Sequence, residues 1–163
     1  MKTNLSKRGY SILKEELSSS EILELRKDLT VKPFVSADYG VTPKAFPIYC
    51  ESVRKLYIPR YYAQKKYGLS LENKLLEFKK TNINFSKSLK DKQIPIVEAY
   101  LKAANEVGGG IISVPCGYGK TVIGLYIAAK LKVKTLVVVH KEFLLNQWKE
   151  RIKEFLPNAK IGR

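Results

Sequence analysis

The sequence predicts an α/β fold built on a parallel sheet over residues 89–163, preceded by a small basic α+β module over residues 1–88. Three observations carry this. After residue 89, short apolar runs of strand length alternate with stretches of helix length, the pattern of parallel strands joined by right-handed crossovers. One of those strands leads through a Gly-rich turn into a helix that opens on Gly119-Lys120-Thr121. Residues 1–88, by contrast, are polar and rich in Tyr and Lys, with prolines spaced through short elements.

Within residues 1–88, Gly9 to Leu13 reads as a short strand. Ser18-Ser19-Ser20-Glu21 forms a capping box, with Ser18 as N-cap and Glu21 three residues on. The helix it opens carries Ile22, Leu23 and Leu25 and is expected to end near Leu29. Leu29 to Val35 reads as an edge strand, because Pro33 interrupts it. Ala37 to Pro43 reads as a loop. Pro47-Ile48-Tyr49 and Leu56-Tyr57-Ile58 read as two short strands forming a hairpin. Pro59 then suits the first turn of a helix that runs to Tyr67 and is closed by Gly68. Basic and aromatic residues interleave from Arg54 through Tyr67, a texture that suits phosphates on the cations and unpaired bases on exposed rings, and equally suits tyrosines packed beside a solvated charged face. Residues 79–88 read as a connection.

From Leu89 the spacing of Ile94, Val97, Leu101 and Ala104 gives one apolar helix face, up to Val107. Gly108-Gly109-Gly110 ends that helix. Ile111 to Val114 reads as a strand buried on both faces, and Thr121 to Leu131 as an apolar helix. Thr135 to Val139 reads as a second buried strand, with a turn at His140-Lys141-Glu142 after it. Phe143 to Leu156 is amphipathic, with Leu144, Trp148, Ile152 and Phe155 on one face, so Trp148 reads as core. Pro157 follows, and Ile161 opens a further strand.

The segment from Pro115 to Thr121 (Pro115, Cys116, Gly117, Tyr118, Gly119, Lys120, Thr121) carries the chemistry. Gly117 and Gly119 permit positive φ and let main-chain N–H groups close on an anion. The helix start adds unpaired N–H groups and the positive end of its dipole. Lys120 is placed to reach the β and γ phosphates of ATP, and the Thr121 hydroxyl to ligate Mg²⁺. The strict pattern has Gly five residues before Gly119, where this chain has Val114.

Composition bounds the partners. The chain has 30 Lys and Arg against 15 Asp and Glu, a formal charge of +15. The excess is spread: 17 against 9 in residues 1–88 and 13 against 6 in residues 89–163. Such an excess favours a polyanion, nucleic acid above all. No apolar run approaches the 18 or so residues that would span a membrane, and charges stand where a signal peptide needs an apolar core. Cys50 and Cys116 lie far apart and His140 is the one histidine, which excludes a disulfide framework and the usual zinc spacings. An intracellular protein is expected.

Three runs carry a family resemblance: Leu89-Lys90-Asp91-Lys92-Gln93; Val114 through Thr121; and Thr135-Leu136-Val137-Val138-Val139-His140 with Gln147-Trp148. Together they resemble the opening of a superfamily 2 helicase, in the XPB-like branch that includes helicases of large DNA viruses. The resemblance covers residues 89–163, and is thinner over 1–88. It implies a RecA-like ATP-binding domain, with ATP and Mg²⁺ as cofactors and nucleic acid as partner, DNA ahead of RNA. It implies that Gln93 reads the adenine edge, and that His140, Lys141 and the N–H groups opening the Phe143 helix hold a strand by its phosphates. The family's Arg three residues before the Gln is Lys90 here, and its Pro-Thr after the second strand is absent. A viral member would be found in the virion or the infected cell.

Hydrolysis in such a motor also needs an acidic pair on a later strand and an Arg from a second lobe. No Asp follows Asp91, and Glu142, Glu150 and Glu154 lie on the final helix. The expectation is therefore the N-terminal part of an ATP-dependent helicase, cut before the DExH motif and inactive by itself, its second RecA-like lobe absent from this chain. A packaging or remodelling ATPase, and a non-catalytic basic nucleic-acid-binding module with a vestigial phosphate loop, are the alternatives.

Overall fold

The computed structural model describes residues 1–34 and 43–162. Most of the loop expected at Ala37–Pro43, and the last residue of the segment Leu29–Val35, lie outside the described residues. The chain forms two compact units, Met1–Leu76 and Glu77–Arg163. The division falls ahead of the 88/89 boundary read from the sequence, for a physical reason given below.

The first unit is a mixed sheet with helices on one face. Strands β1 (Thr3–Ser6) and β2 (Gly9–Leu13) form a hairpin. A 3₁₀ turn at Lys14–Glu16 leads to α1 (Ser19–Asp28). The short strands β3 (Thr30–Val31) and β4 (Phe46–Pro47) pair with each other. Next come β5 (Cys50–Glu51), β6 (Lys55–Ile58), α2 (Arg60–Tyr67) and β7 (Glu72–Asn73). The main sheet has the order β5-β6-β2-β1-β7, with β7 parallel to β1 and the other pairs antiparallel.

Local chemistry explains the helices. The Ser18 hydroxyl accepts from the Glu21 N–H at 3.2 Å and the Glu21 carboxylate accepts from the Ser18 N–H at 2.8 Å, the reciprocal capping box that starts α1. Gly68, at φ +81°, closes α2, and its N–H donates to the Gln64 carbonyl at 2.9 Å. Both helices cover one sheet face, where Leu5, Tyr10, Ile12, Leu56 and Ile58 are buried with Leu25 of α1 and Ala63 of α2. The hairpin expected between 47–49 and 56–58 is corrected: β6 pairs with Cys50–Glu51, and Phe46–Pro47 pairs with Thr30–Val31.

The second unit is built on three helices. A 3₁₀ turn at Asp91–Gln93 precedes α3 (Ile94–Val107), because Pro95 belongs in the first helical turn. Helix α4 spans Lys120–Leu131 and α5 spans Glu142–Phe155. Helix α4 is apolar on two sides and is covered on both. Its Ile123 and Ile127 pack with Val97 of α3, whereas Leu125 and Ala129 pack with Trp148, Ile152 and Leu156 at α5.

Residues 80–87 are not a free connection. The Thr81 N–H donates to the Lys132 carbonyl at 2.8 Å, the Ser86 N–H to the Phe155 carbonyl at 2.9 Å, and the Asn158 amide to the Asn82 carbonyl at 2.7 Å. The Phe85 ring stands edge-on to Tyr126 and stacks on Phe155, with centroids 5.1 and 5.5 Å apart. This strap ties the ends of α4 and α5, which is why the unit begins before residue 88.

The parallel pairing present among the described residues lies in the first unit. Ile111–Val114 and Thr135–Val139, expected as buried strands, run without ladder bonds, and Ile111, Leu136 and Val138 are 96%, 86% and 83% exposed. A strand is stable only with a neighbour to take its N–H and C=O groups, and these two segments do not pair with each other. Ile161 likewise opens no strand.

Candidate nucleotide-binding site

The loop between Val114 and α4 is shaped by two glycines. Gly117 and Gly119 have φ of +81° and +77°, the left-handed region that favours residues without a Cβ. No heavy atom lies within 4 Å of a Cβ built on Gly117, so that side of the loop has room for a ligand group. Gly119 is different, since a Cβ there would sit 2.6 Å from Gln93 Nε2. It is also the N-cap of α4, and no side chain caps that helix, so its first N–H groups lack a side-chain acceptor.

Lys120 is exposed, and its ammonium donates to the carbonyls of Val114 and Pro115 at 3.0 and 3.1 Å. The cation thus bridges the two ends of the loop. Thr121 follows in the first turn of α4. Pro115 and Cys116 are exposed, and Tyr118 is half-buried beneath the Lys92 ammonium, 4.4 Å from its ring centroid.

Gln93 is buried, at 4% exposure. Its Nε2 donates to the Tyr118 carbonyl at 2.8 Å and its Oε1 accepts from the Lys90 N–H at 3.0 Å. The turn before α3 is therefore joined to the loop through this amide. Sequence reasoning missed that tie, and also the Lys92–Tyr118 contact. The one local signal was the Gln itself, ahead of a Gly-rich loop.

Positive-φ glycines, an uncapped helix start and a lysine across the mouth form a cradle for a phosphate chain. Thr121 carries a hydroxyl in the first turn of α4, a group able to ligate a hard cation. Among the described residues no three His, Cys, Asp or Glu side chains cluster as a metal site. A cavity of about 600 Å³ lined by Leu89, Ile94, Val97, Leu101, Tyr126 and Lys130 shares no residue with the loop.

Residues 86–162 match the family model for the res subunit of type III restriction enzymes. Over 167 aligned positions the chain is 34% identical to a protein named as an ATP-dependent RNA helicase of Acanthamoeba polyphaga mimivirus, covering 99% of this chain and 32% of that protein. It is 36% identical over 101 positions to a protein named as helicase 161L of Invertebrate iridescent virus 6, covering 61% of this chain and 22% of the relative. It is 46% identical over 68 positions to the DNA 3'-5' translocase XPB2 of Sulfurisphaera tokodaii, covering 42% of this chain and 15% of the relative. The chain is similar to these helicases and to this translocase over the stretches given. It spans about a third or less of the length of these relatives.

The other residues expected from the sequence to hold a ligand, His140 and Lys141, lie just before α5. His140 and Lys141 are exposed, and Lys141, in an extended conformation, is the N-cap of that helix with no side-chain cap bond. Trp148 packs on Gly124 of α4, its ring edge 3.3 Å from a Cβ built there. That close approach explains the glycine in the middle of α4 and places Trp148 in the core.

Proposed function

We propose that this chain is the ATP-binding part of a superfamily 2 helicase or translocase that moves on nucleic acid. The loop at Pro115–Thr121 carries the reading: two left-handed glycines and an uncapped helix start, with Lys120 spanning the mouth. Main-chain N–H groups from Gly117 to Thr121 hold the phosphates, Lys120 neutralises the β and γ groups, and Thr121 ligates Mg²⁺. Gln93 keeps one amide proton and one acceptor lone pair beyond its two protein bonds, enough to meet an adenine edge. His140, Lys141 and the first N–H groups of α5 hold strand phosphates. The acidic pair and the arginine that hydrolysis requires come from polypeptide other than this chain.

The relatives named above include an RNA helicase and a DNA translocase, so the substrate is stated as nucleic acid. Titration with a fluorescent ATP analogue and Mg²⁺ tests the reading. Saturable binding without steady phosphate release is expected, and Lys120→Ala should weaken binding by about ten- to 150-fold, the worth of a charged hydrogen bond of ~1.5–3 kcal/mol. Unchanged affinity in Lys120→Ala would remove the lysine from the site. Sustained turnover by the chain alone would overturn the assignment of hydrolysis to other polypeptide.

A further inference from the structure

The main sheet of the first unit has a second face, opposite the one its helices cover. Cross-strand pairing places Asn4, Ser11, Tyr57 and Cys50 in one row on this face, with Leu13 opposite Lys55 and Glu72 opposite Asn4. Parity puts these side chains away from Leu5, Tyr10, Ile12, Leu56 and Ile58, which face the core. The middle of the row is packed beneath its neighbours, with Ser11 1% exposed and its hydroxyl donating to Asn4 Oδ1 at 2.9 Å, so a ligand would meet the flanking side chains rather than Ser11. Beside it the Arg8 guanidinium lies over the Tyr57 ring, 5.7 Å from its centroid. A hollow of about 310 Å³ adjoins the row and is lined by Lys2, Asn4, Leu13, Lys55, Glu72 and Lys74. Lys2, Lys55 and Lys74 line this hollow with Glu72, which pairs with Lys74 at 2.9 Å. The Glu16 carboxylate accepts from the Lys2 N–H, and Arg8 adds a further cation at the Tyr57 ring.

We propose that this face binds a single strand of nucleic acid, one base stacking at the Tyr57–Arg8 pair while Lys55 and Lys2 take the flanking phosphates. Charge complementarity selects a polyanion, and the half-buried ring beneath Arg8 selects one with unpaired planar groups. A duplex keeps its bases stacked on one another and offers this ring only an edge or a backbone. The tyrosines of α2 divide differently. Tyr62 and Tyr67 pack against the core and Tyr62 donates to Asp28 at 2.9 Å, whereas Tyr61 is exposed beneath Arg60 on the helix that covers the other sheet face, so Tyr57 is the tyrosine in this row. The inference deepens the nucleic-acid part of the proposed function, and it rests on residues apart from the phosphate loop and the α5 turn.

The test is fluorescence anisotropy of the whole chain with a labelled oligothymidylate and an abasic strand of equal length. The wild type should favour the strand that carries bases. Tyr57→Ala should weaken oligothymidylate binding by about five- to 150-fold and abolish the preference, and Tyr57→Phe should restore both. Lys55→Ala should lower the salt slope by about 0.7, the share of a single neutralised phosphate on a single strand. Bound strand should also slow maleimide labelling at Cys50, the exposed neighbour of Tyr57, as located by peptide mapping. Circular dichroism of each variant checks that the fold is kept, and Lys55→Ala with Cys50 protection decides the matter where Tyr57→Ala does not fold.

Equal affinity for both strands in the wild type would overturn the proposal and leave a face that only attracts anions, an acidic peptide among them. Loss confined to a His140→Ala/Lys141→Ala variant would overturn it while leaving the motor reading intact. Strand binding through Tyr57 in a chain that ignores ATP would support it and sink the motor reading instead.

Discussion

The loop depends on Gly119 in two ways. Its φ of +77° is strained for any residue with a Cβ, and the space that a Cβ would need is occupied by Gln93 Nε2. Gly117 carries only the first constraint, because open space surrounds it. Gly117→Ala should therefore cost about 1–2 kcal/mol from the left-handed backbone alone. Gly119→Ala should cost more, since Gln93 must give up its bond to the Tyr118 carbonyl and leave a buried amide short of a partner. Urea unfolding of the two variants measures the difference, and equal losses would contradict the Gln93 contact. The sequence made the glycines legible because positive φ is a local demand with few residues able to meet it. It could not show where the Gln93 amide goes, since that partner lies 25 residues away and depends on how α3 meets the loop.

Among the elements, those set by local chemistry were the legible ones. The Ser18–Glu21 box starts α1, and Gly68 closes α2, because both devices work within a few residues. Pairings between distant segments were not legible. Phe46–Pro47 and Cys50–Glu51 are equally short, and only tertiary context sends the first to β3 and the second to β6. The strap at 80–87 has no periodicity because it packs through backbone bonds and single rings. At β5, hydrogen bonds from Arg26 and then Lys14 hold the Glu51 carboxyl below its ordinary value. A depressed folded pKa adds stability above the unfolded value of about 4.3, and that stability is lost as pH falls through the folded value. With the Glu51 side chain 31% exposed, the effect is about 0.5–1 kcal/mol after screening. Urea unfolding of the wild type and Glu51→Gln at pH 6 and pH 3 should show a gap at pH 6 that closes at pH 3. A gap that persists at pH 3 would show that the pair contributes through something other than its charge.

At the scale of the molecule, positive charge is spread along the whole sequence, and each unit presents cations to solvent. The second unit also exposes apolar segments without ladder bonds at Ile111–Val114 and Thr135–Val139. Their composition announced strands, but ladder formation needs a neighbour that no local pattern can supply. Bare strand-forming segments of this kind favour edge-to-edge association. Sedimentation velocity should show self-association that grows with concentration, and Leu136→Lys with Val138→Lys should reduce it. A strictly monomeric chain at high concentration would contradict this. The central claim, that main-chain amides of the loop close on a triphosphate, has a more direct test in hydrogen exchange with and without Mg²⁺–ATP. The account predicts slowed exchange at the amides of Gly117 to Thr121 in the wild type and little slowing in Lys120→Ala. Protection elsewhere in the chain, with those amides unchanged, would contradict it.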